Sequence, residues 1–145
     1  MVSSVLVVCV GNVCRSPVGE RLLVQACPNL RTGSAGIDAL VGQCATKASA
    51  DVAAQNGVSL AGHVARQFTA ELAAQFDLIL VMEKTHMNAT ESLAPGSASK
   101  TMLFGEWIGQ SDIADPYKLN HDFYLTVFDK IKKASDGWIA RLKCR

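Results

Sequence analysis

No apolar run in this chain approaches the ~20 residues that a membrane-spanning helix requires, so no membrane insertion is expected. Charge is sparse and balanced: 14 Lys and Arg face 13 Asp and Glu, for a formal net charge of +1. A chain that neutral has no broad field to attract nucleic acid or an acidic membrane surface. The start, Met1-Val2-Ser3-Ser4, carries no basic leader. The apolar run behind it feeds straight into a cysteine loop, so it reads as a core strand and not as a signal peptide. There is no internal repeat, no low-complexity tract and no linker composition, hence one domain over residues 1–145. The five cysteines (Cys9, Cys14, Cys27, Cys44 and Cys144) are odd in number and fit no structural zinc spacing. A chain of this size folds without covalent staples. Free thiols in a reducing, cytoplasmic compartment are therefore expected.

What is present is a compact core: 49% of the residues are hydrophobic. Ser4–Val10 is a valine-rich continuous apolar run, the pattern of a strand buried on both faces. Gly11-Asn12 signals a turn, Pro17 suits the first turn of a helix, and Val18–Ala26 has helical apolar spacing up to Pro28-Asn29. Leu30–Ser34 reads as a short strand and Ile37–Ala45 as a loop. Thr46–Asn56 reads as an alanine-rich helix capped by Gly57. Asp77–Met82 is a second clear buried strand, Glu83–Leu93 a helix and Lys100–Phe104 a fourth strand. Gly105–Asn120 is a long polar loop. His121–Lys143 is an amphipathic helix with Phe123, Val127, Phe128, Ile131, Trp138 and Leu142 as its apolar stripe. Alternating strands and helices predict an α/β fold: a three-layer sandwich with a four-stranded parallel sheet and helices on both faces. Ligands in such sheets bind outside the carboxyl ends of the strands.

At the carboxyl end of the first strand stands Cys9-Val10-Gly11-Asn12-Val13-Cys14-Arg15-Ser16. A tight turn running into a helix aims backbone N–H groups inward, and the helix N-terminus adds its dipole; together they suit a phosphate. Gly11 permits close backbone approach, and Asn12 tolerates a left-handed conformation. Arg15 supplies a planar fork for two phosphate oxygens. The same field favours the thiolate of a cysteine, making Cys9 a nucleophile for phosphorus. Ser16 can donate a hydrogen bond to that sulfur. A Cys-x5-Arg pair alone arises readily by chance, with the cysteine a packed small hydrophobe and the arginine on the surface. That reading explains neither the strand before the loop nor the Ser-Pro and helix after it.

Asp115 lies in the long loop before Pro116. On residue type alone it divides evenly between a turn or N-cap aspartate and a proton donor. Asp112 is its neighbour and competitor. His63, His86 and His121 form no metal spacing with the cysteines; His86 and His121 read as surface residues, and Trp107 and Trp138 as core or loop anchors.

The stretch Val8–Pro17 resembles the signature of the low-molecular-weight protein tyrosine phosphatases. The resemblance extends over nearly the whole chain, through Ser34-Ala35-Gly36, Gly62-His63, Ala65-Arg66-Gln67, Asp77-Leu78-Ile79-Leu80 and Asp115-Pro116-Tyr117. It is closest to bacterial members that work with capsule and exopolysaccharide tyrosine kinases, because Ala39-Leu40-Val41-Gly42 is aliphatic and Tyr117 is followed by Lys118. The resemblance implies the strand order 2-1-3-4. It implies catalysis by Cys9, Arg15 and Asp115, with Asp115 as general acid and then general base, and phosphate binding by Val10 through Ser16. It implies a supporting network of Asn12, Ser16, Ser34 and His63, and a substrate slot walled by Leu40 and Tyr117. A reversible Cys9–Cys14 disulfide on oxidation is implied as well. No metal or cofactor is expected. The expected partner is a phosphotyrosine protein, a bacterial tyrosine autokinase with a tyrosine-rich tail, and phosphate is the product; a monomer is the default.

Other classes share parts of this pattern. An arsenate reductase of related fold needs a downstream cysteine relay, and no cysteine lies between Cys44 and Cys144. A non-catalytic phosphotyrosine-binding module needs neither nucleophile nor acid. A sugar-phosphotransfer subunit needs no arginine at this spacing.

Overall fold

The structure, a computed structural model, describes residues 1–142. Strand β1 (Ser4–Cys9) is buried at all six positions. It pairs in parallel with β2 (Arg31–Gly36) on one side and β3 (Leu78–Val81) on the other, and β4 (Thr101–Leu103) follows β3. The order is β2-β1-β3-β4, as expected. Side chains alternate along a strand, so β1 feeds two cores. Val5, Val7 and Cys9 pack with α1 (Arg15–Ala26), α2 (Lys47–Gln55) and α5 (His121–Leu142). Leu6 and Val8 pack with Phe68, Phe76, Ala73 of α3 (Ala70–Ala73) and Met87 of α4 (Thr85–Leu93). Helices thus cover both sheet faces in three layers. No helix among the described residues is long and apolar enough to cross a membrane.

Several elements differ from expectation. Strand β2 runs two residues past Ser34, because Ala35 and Gly36 keep pairing with Val8 and Cys9. Helix α3 and a 3-10 turn at Ser97–Lys100 are too short to leave a periodic signal. Helix α4 starts at Thr85, which leaves Glu83 in the turn after β3. In α5 the buried stripe runs through Tyr124, Val127, Phe128, Ile131 and Trp138. Phe123 lies beyond its edge in the first turn and is 38% exposed, contrary to its expected place in the stripe. Lys143, the expected end of that helix, and Cys144 lie outside the described residues. His86 is not a surface residue but is buried in α4. Cys27, expected as a free thiol, is buried and disulfide-bonded, whereas Cys9, Cys14 and Cys44 are free.

Gly36 couples this frame to the cysteine loop. A Cβ there would stand 2.3 Å from the Val10 carbonyl oxygen and 3.1 Å from the Asn12 nitrogen. Both contacts are backbone, so neither can swing aside. Gly36→Ala is expected to destabilise the protein by about 1–3 kcal/mol, the usual cost of overpacking. Urea denaturation measures this, and an unchanged midpoint would show that the loop yields freely.

Candidate active site

Cys9 is the last residue of β1 and is 2% exposed. Its Sγ lies 2.9 Å from Ser16 Oγ, a group on the first turn of α1. Between them the chain reverses through Asn12, which adopts the left-handed region at φ 60°. Helix α1 begins at Arg15 with Cys14 at its N-cap and no side-chain cap. Thr46 and Thr69, by contrast, cap α2 and α3 by accepting from the backbone N–H groups of Ser49 and Leu72. The first turn of α1 carries an arginine and no acid. A helix start with uncapped N–H groups and added positive charge suits an anion.

Asn12 is fully buried and holds the loop in shape from its centre. Its Nδ2 donates to Ser16 Oγ at 2.7 Å and to Ser34 Oγ at 3.0 Å. Its Oδ1 accepts from the Arg66 backbone N–H at 2.9 Å, and His63 Nε2 stands 2.6 Å from its carbonyl oxygen. Ser34 in turn donates to Glu20 Oε1 at 2.6 Å. A left-handed asparagine is uncommon, and these bonds over-determine it.

Arg15 is 1% exposed, and burial of a charge requires partners. Nη1 donates to Glu83 Oε2 at 2.5 Å and to the Ile113 carbonyl at 2.7 Å, and Nη2 lies 3.6 Å from Asp115 Oδ2. Its Nε is a buried donor with no partner among the described residues. His86 Nε2 backs Glu83 at 3.5 Å. Burial, and next the Arg15 charge, hold the His86 imidazole below its ordinary pKa of 6.5.

Above this floor opens a cavity of about 170 Å³. Cys9, Val10, Gly11, Val13, Cys14 and Arg15 line it, and so do Leu40, Asp115, Tyr117 and Asp38. Asp115 is exposed; its Oδ1 accepts from the Tyr117 N–H at 3.0 Å, which fixes the turn around Pro116. Asp112 goes elsewhere: its Oδ1 accepts from the Lys84 N–H at 2.8 Å. The loop carrying Asp115 is pinned by Ile113, which is fully buried and donates its N–H to the Met82 carbonyl at 2.8 Å. It is pinned again by Trp107, edge-on to Trp138 at 5.6 Å. Leu40 is tied to the floor by its N–H, which donates to the Gly11 carbonyl at 3.0 Å.

Cys14 is buried and free. Its Sγ lies 3.6 Å from Thr46 Oγ1 and 3.7 Å from Tyr124 OH, and burial pushes its thiol pKa up. Asn12, Ser16, Ser34 and His63 form one hydrogen-bonded cluster, while Cys9, Arg15, Asp115, Leu40 and Tyr117 meet at the cavity. Reasoning on the sequence missed Glu83, Glu20, Arg66, His86 and Asp38. Glu20 lies on α1, one turn past Ser16, and the others reach the site from other segments. Only Arg66 lies within a stretch that carries the family resemblance, Ala65-Arg66-Gln67.

A depressed histidine pKa means that the unfolded chain takes up the proton first. The stability that neutral His86 contributes is full above about pH 6.5 and is lost as pH falls from there toward the folded-state value. His86→Asn is expected to flatten the acid-side decline of stability in urea titrations run across that range. An identical slope in both proteins would remove His86 from the effect.

A family model for low molecular weight phosphotyrosine protein phosphatase matches residues 4–145. The low molecular weight protein-tyrosine-phosphatase Etp of Escherichia coli K12 is 48% identical over 140 residues, which cover 97% of this chain and 95% of Etp. The crystal structure of the Erwinia amylovora tyrosine phosphatase AmsI superposes with a TM-score of 0.95 at 48% identity, over 97% of this chain and 93% of that one. Vibrio vulnificus Wzb, solved in complex with benzylphosphonate, superposes with a TM-score of 0.96 at 44% identity, over 97% of this chain and 99% of its own. With a family match that takes in the whole sheet, the cysteine loop and the Asp115 loop, the chain belongs to the low molecular weight phosphotyrosine protein phosphatases.

Proposed function

We propose that the protein hydrolyses phosphotyrosine in two steps through a phosphocysteine on Cys9. The observation that carries this reading is the convergence of a buried thiol, a buried guanidinium and an exposed carboxylate on one cavity. In the first step the Cys9 thiolate attacks phosphorus. The S–P bond forms as the P–O(aryl) bond breaks, and Asp115 gives its proton to the departing phenolate oxygen. A phenol with pKa near 10 leaves poorly as its anion, so the donor matters. In the second step water attacks phosphorus, Asp115 takes the water's proton, and the thiolate leaves with a hydrogen bond from Ser16. Phosphate is the product.

Each group has a physical reason for its part. The uncapped start of α1 and the backbone of Val10 through Ser16 receive the phosphate oxygens. Arg15 binds two of them from a position that Glu83 and Ile113 hold. Asn12, Ser34 and His63 keep the loop preorganised, so that its donors need no rearrangement as charge develops. Leu40 and Tyr117 flank the aryl ring. Cys14 lines the same cavity and is the partner for a protective disulfide with Cys9 on oxidation. The substrate that the aliphatic Leu40 segment and the single Tyr117 favour is a bacterial tyrosine autokinase with a tyrosine-rich tail, one controlling capsule or exopolysaccharide export. This reading uses no metal or cofactor.

Cys9→Ser is expected to abolish hydrolysis of p-nitrophenyl phosphate, measured with EDTA present, and surviving activity would sink the phosphocysteine route. Asp115→Ala is expected to lower kcat on phosphotyrosine by about 10²–10⁴, the usual worth of a general acid. The loss on esters with good leaving groups should be far smaller, and equal losses would remove Asp115 from the acid role. Incubation with the phosphorylated tyrosine kinase of the same host tests the partner; a kinase that keeps its phosphate would exclude it.

A further inference from the structure

Asp38 lines the Cys9 cavity yet has no part in the two-step chemistry. It is exposed, and no ion pair or side-chain hydrogen bond engages its carboxylate among the described residues. Its position is nonetheless rigid. The N–H groups of Ile37, Asp38 and Leu40 donate to the carbonyls of Cys9, Val10 and Gly11, each at 3.0 Å. From the other side, Gln67 accepts from the Ala39 N–H at 3.0 Å and donates to the Ile37 carbonyl at 2.9 Å. The segment carrying Asp38 is therefore bolted to the nucleophile loop itself.

The electrostatics of the opening follow. Two carboxylates, Asp38 and Asp115, line it. The Arg15 charge lies at the floor and is already engaged by Glu83. On the rim, the Lys118 Nζ sits 5.5 Å from the Tyr117 ring centroid. An aryl phosphate whose phosphorus reaches Cys9 leaves its peptide backbone at the mouth, where flanking side chains meet the rim. A fixed, unpaired carboxylate there attracts a cationic neighbour and repels an anionic one.

We propose that Asp38 is a specificity residue, selecting phosphotyrosines with a Lys or Arg next to them in the peptide over those with Glu or Asp. The inference rests on the phosphotyrosine reading above and adds the sequence context of the substrate. An exposed charge pair changes affinity by about 1.4- to fivefold. Gaining one with lysine and opposing one with glutamate separates the two peptides by about two- to twenty-five-fold in kcat/KM. Salt should narrow the gap, because the pair is open to solvent.

The test uses phosphotyrosine peptides identical except for Lys, Gln or Glu beside the phosphotyrosine, with phosphate release giving kcat/KM. The wild type should favour Lys over Glu, the more so at low salt. Asp38→Asn should bring the ratio close to one, and Asp38→Lys should invert it. Asp51→Asn, an equal change of charge on α2, should leave the ratio as in the wild type. A wild-type ratio of one, or an Asp38→Asn ratio equal to that of the wild type, overturns the inference while hydrolysis of the peptides upholds the parent reading. Failure of the wild type to hydrolyse any of the peptides overturns both.

Discussion

A guanidinium buried to 1% exposure must be paired, and the pairing of Arg15 organises this molecule. Its three partners come from two places remote in sequence: Glu83 in the turn after β3, and Ile113 and Asp115 in the loop before α5. Arg15 itself sits at the start of α1. One side chain thus ties the end of the second central strand and the long loop to the cysteine loop. Loss of any partner would leave a buried charge short of compensation, which is more costly than the loss of an ordinary contact.

Asn12 is the second node, and it does for the backbone what Arg15 does for the loops. A non-glycine residue at φ 60° holds only if its surroundings insist on it. Ser16, Ser34, Arg66 and His63 supply that insistence through four hydrogen bonds. The absence of a Cβ at Gly36 lets β2 press against the same turn. Strand β1 lies beneath with every residue buried, so the loop has a rigid base as well as rigid sides.

The cavity therefore has two regimes. Its floor is buried and cross-linked by hydrogen bonds; its rim, with Asp115, Tyr117 and Asp38, is exposed. Phosphate recognition needs donors fixed in place, and those lie at the floor. In the proposed reaction a proton donor has to meet a leaving group and water, and Asp115 stands exposed at the rim. On the same reading substrate choice belongs to the rim, because only there would groups beyond the phosphotyrosine ring meet the protein.

Much of this was legible in the residues. The continuous valine run marked β1, because a strand buried on both faces needs no polar alternation. The Cys9–Ser16 stretch marked the loop, because its parts are contiguous and each residue type has a physical reason to be there. Asp115 could be told from a turn aspartate only through the resemblance carried by Pro116 and Tyr117, since an aspartate before proline has a commonplace use in turns. Phe123 was misplaced because the edges of an apolar stripe are set by what packs against the helix and not by spacing alone. His86 looked like a surface residue because nothing in its local sequence buries it; folding sets it beside Glu83 and Arg15. Glu83, Glu20 and Asp38 were invisible for the same reason. A lone carboxylate carries no signal until folding decides whether it grips an arginine, caps a serine or faces a cavity. The sequence by itself determined the local pieces, a buried strand, a turn and a helix start, because those depend on neighbours in the chain. Only the tertiary structure decided which distant charges meet them, because long-range pairing is fixed by the packing of the sheet and the price of burying Arg15.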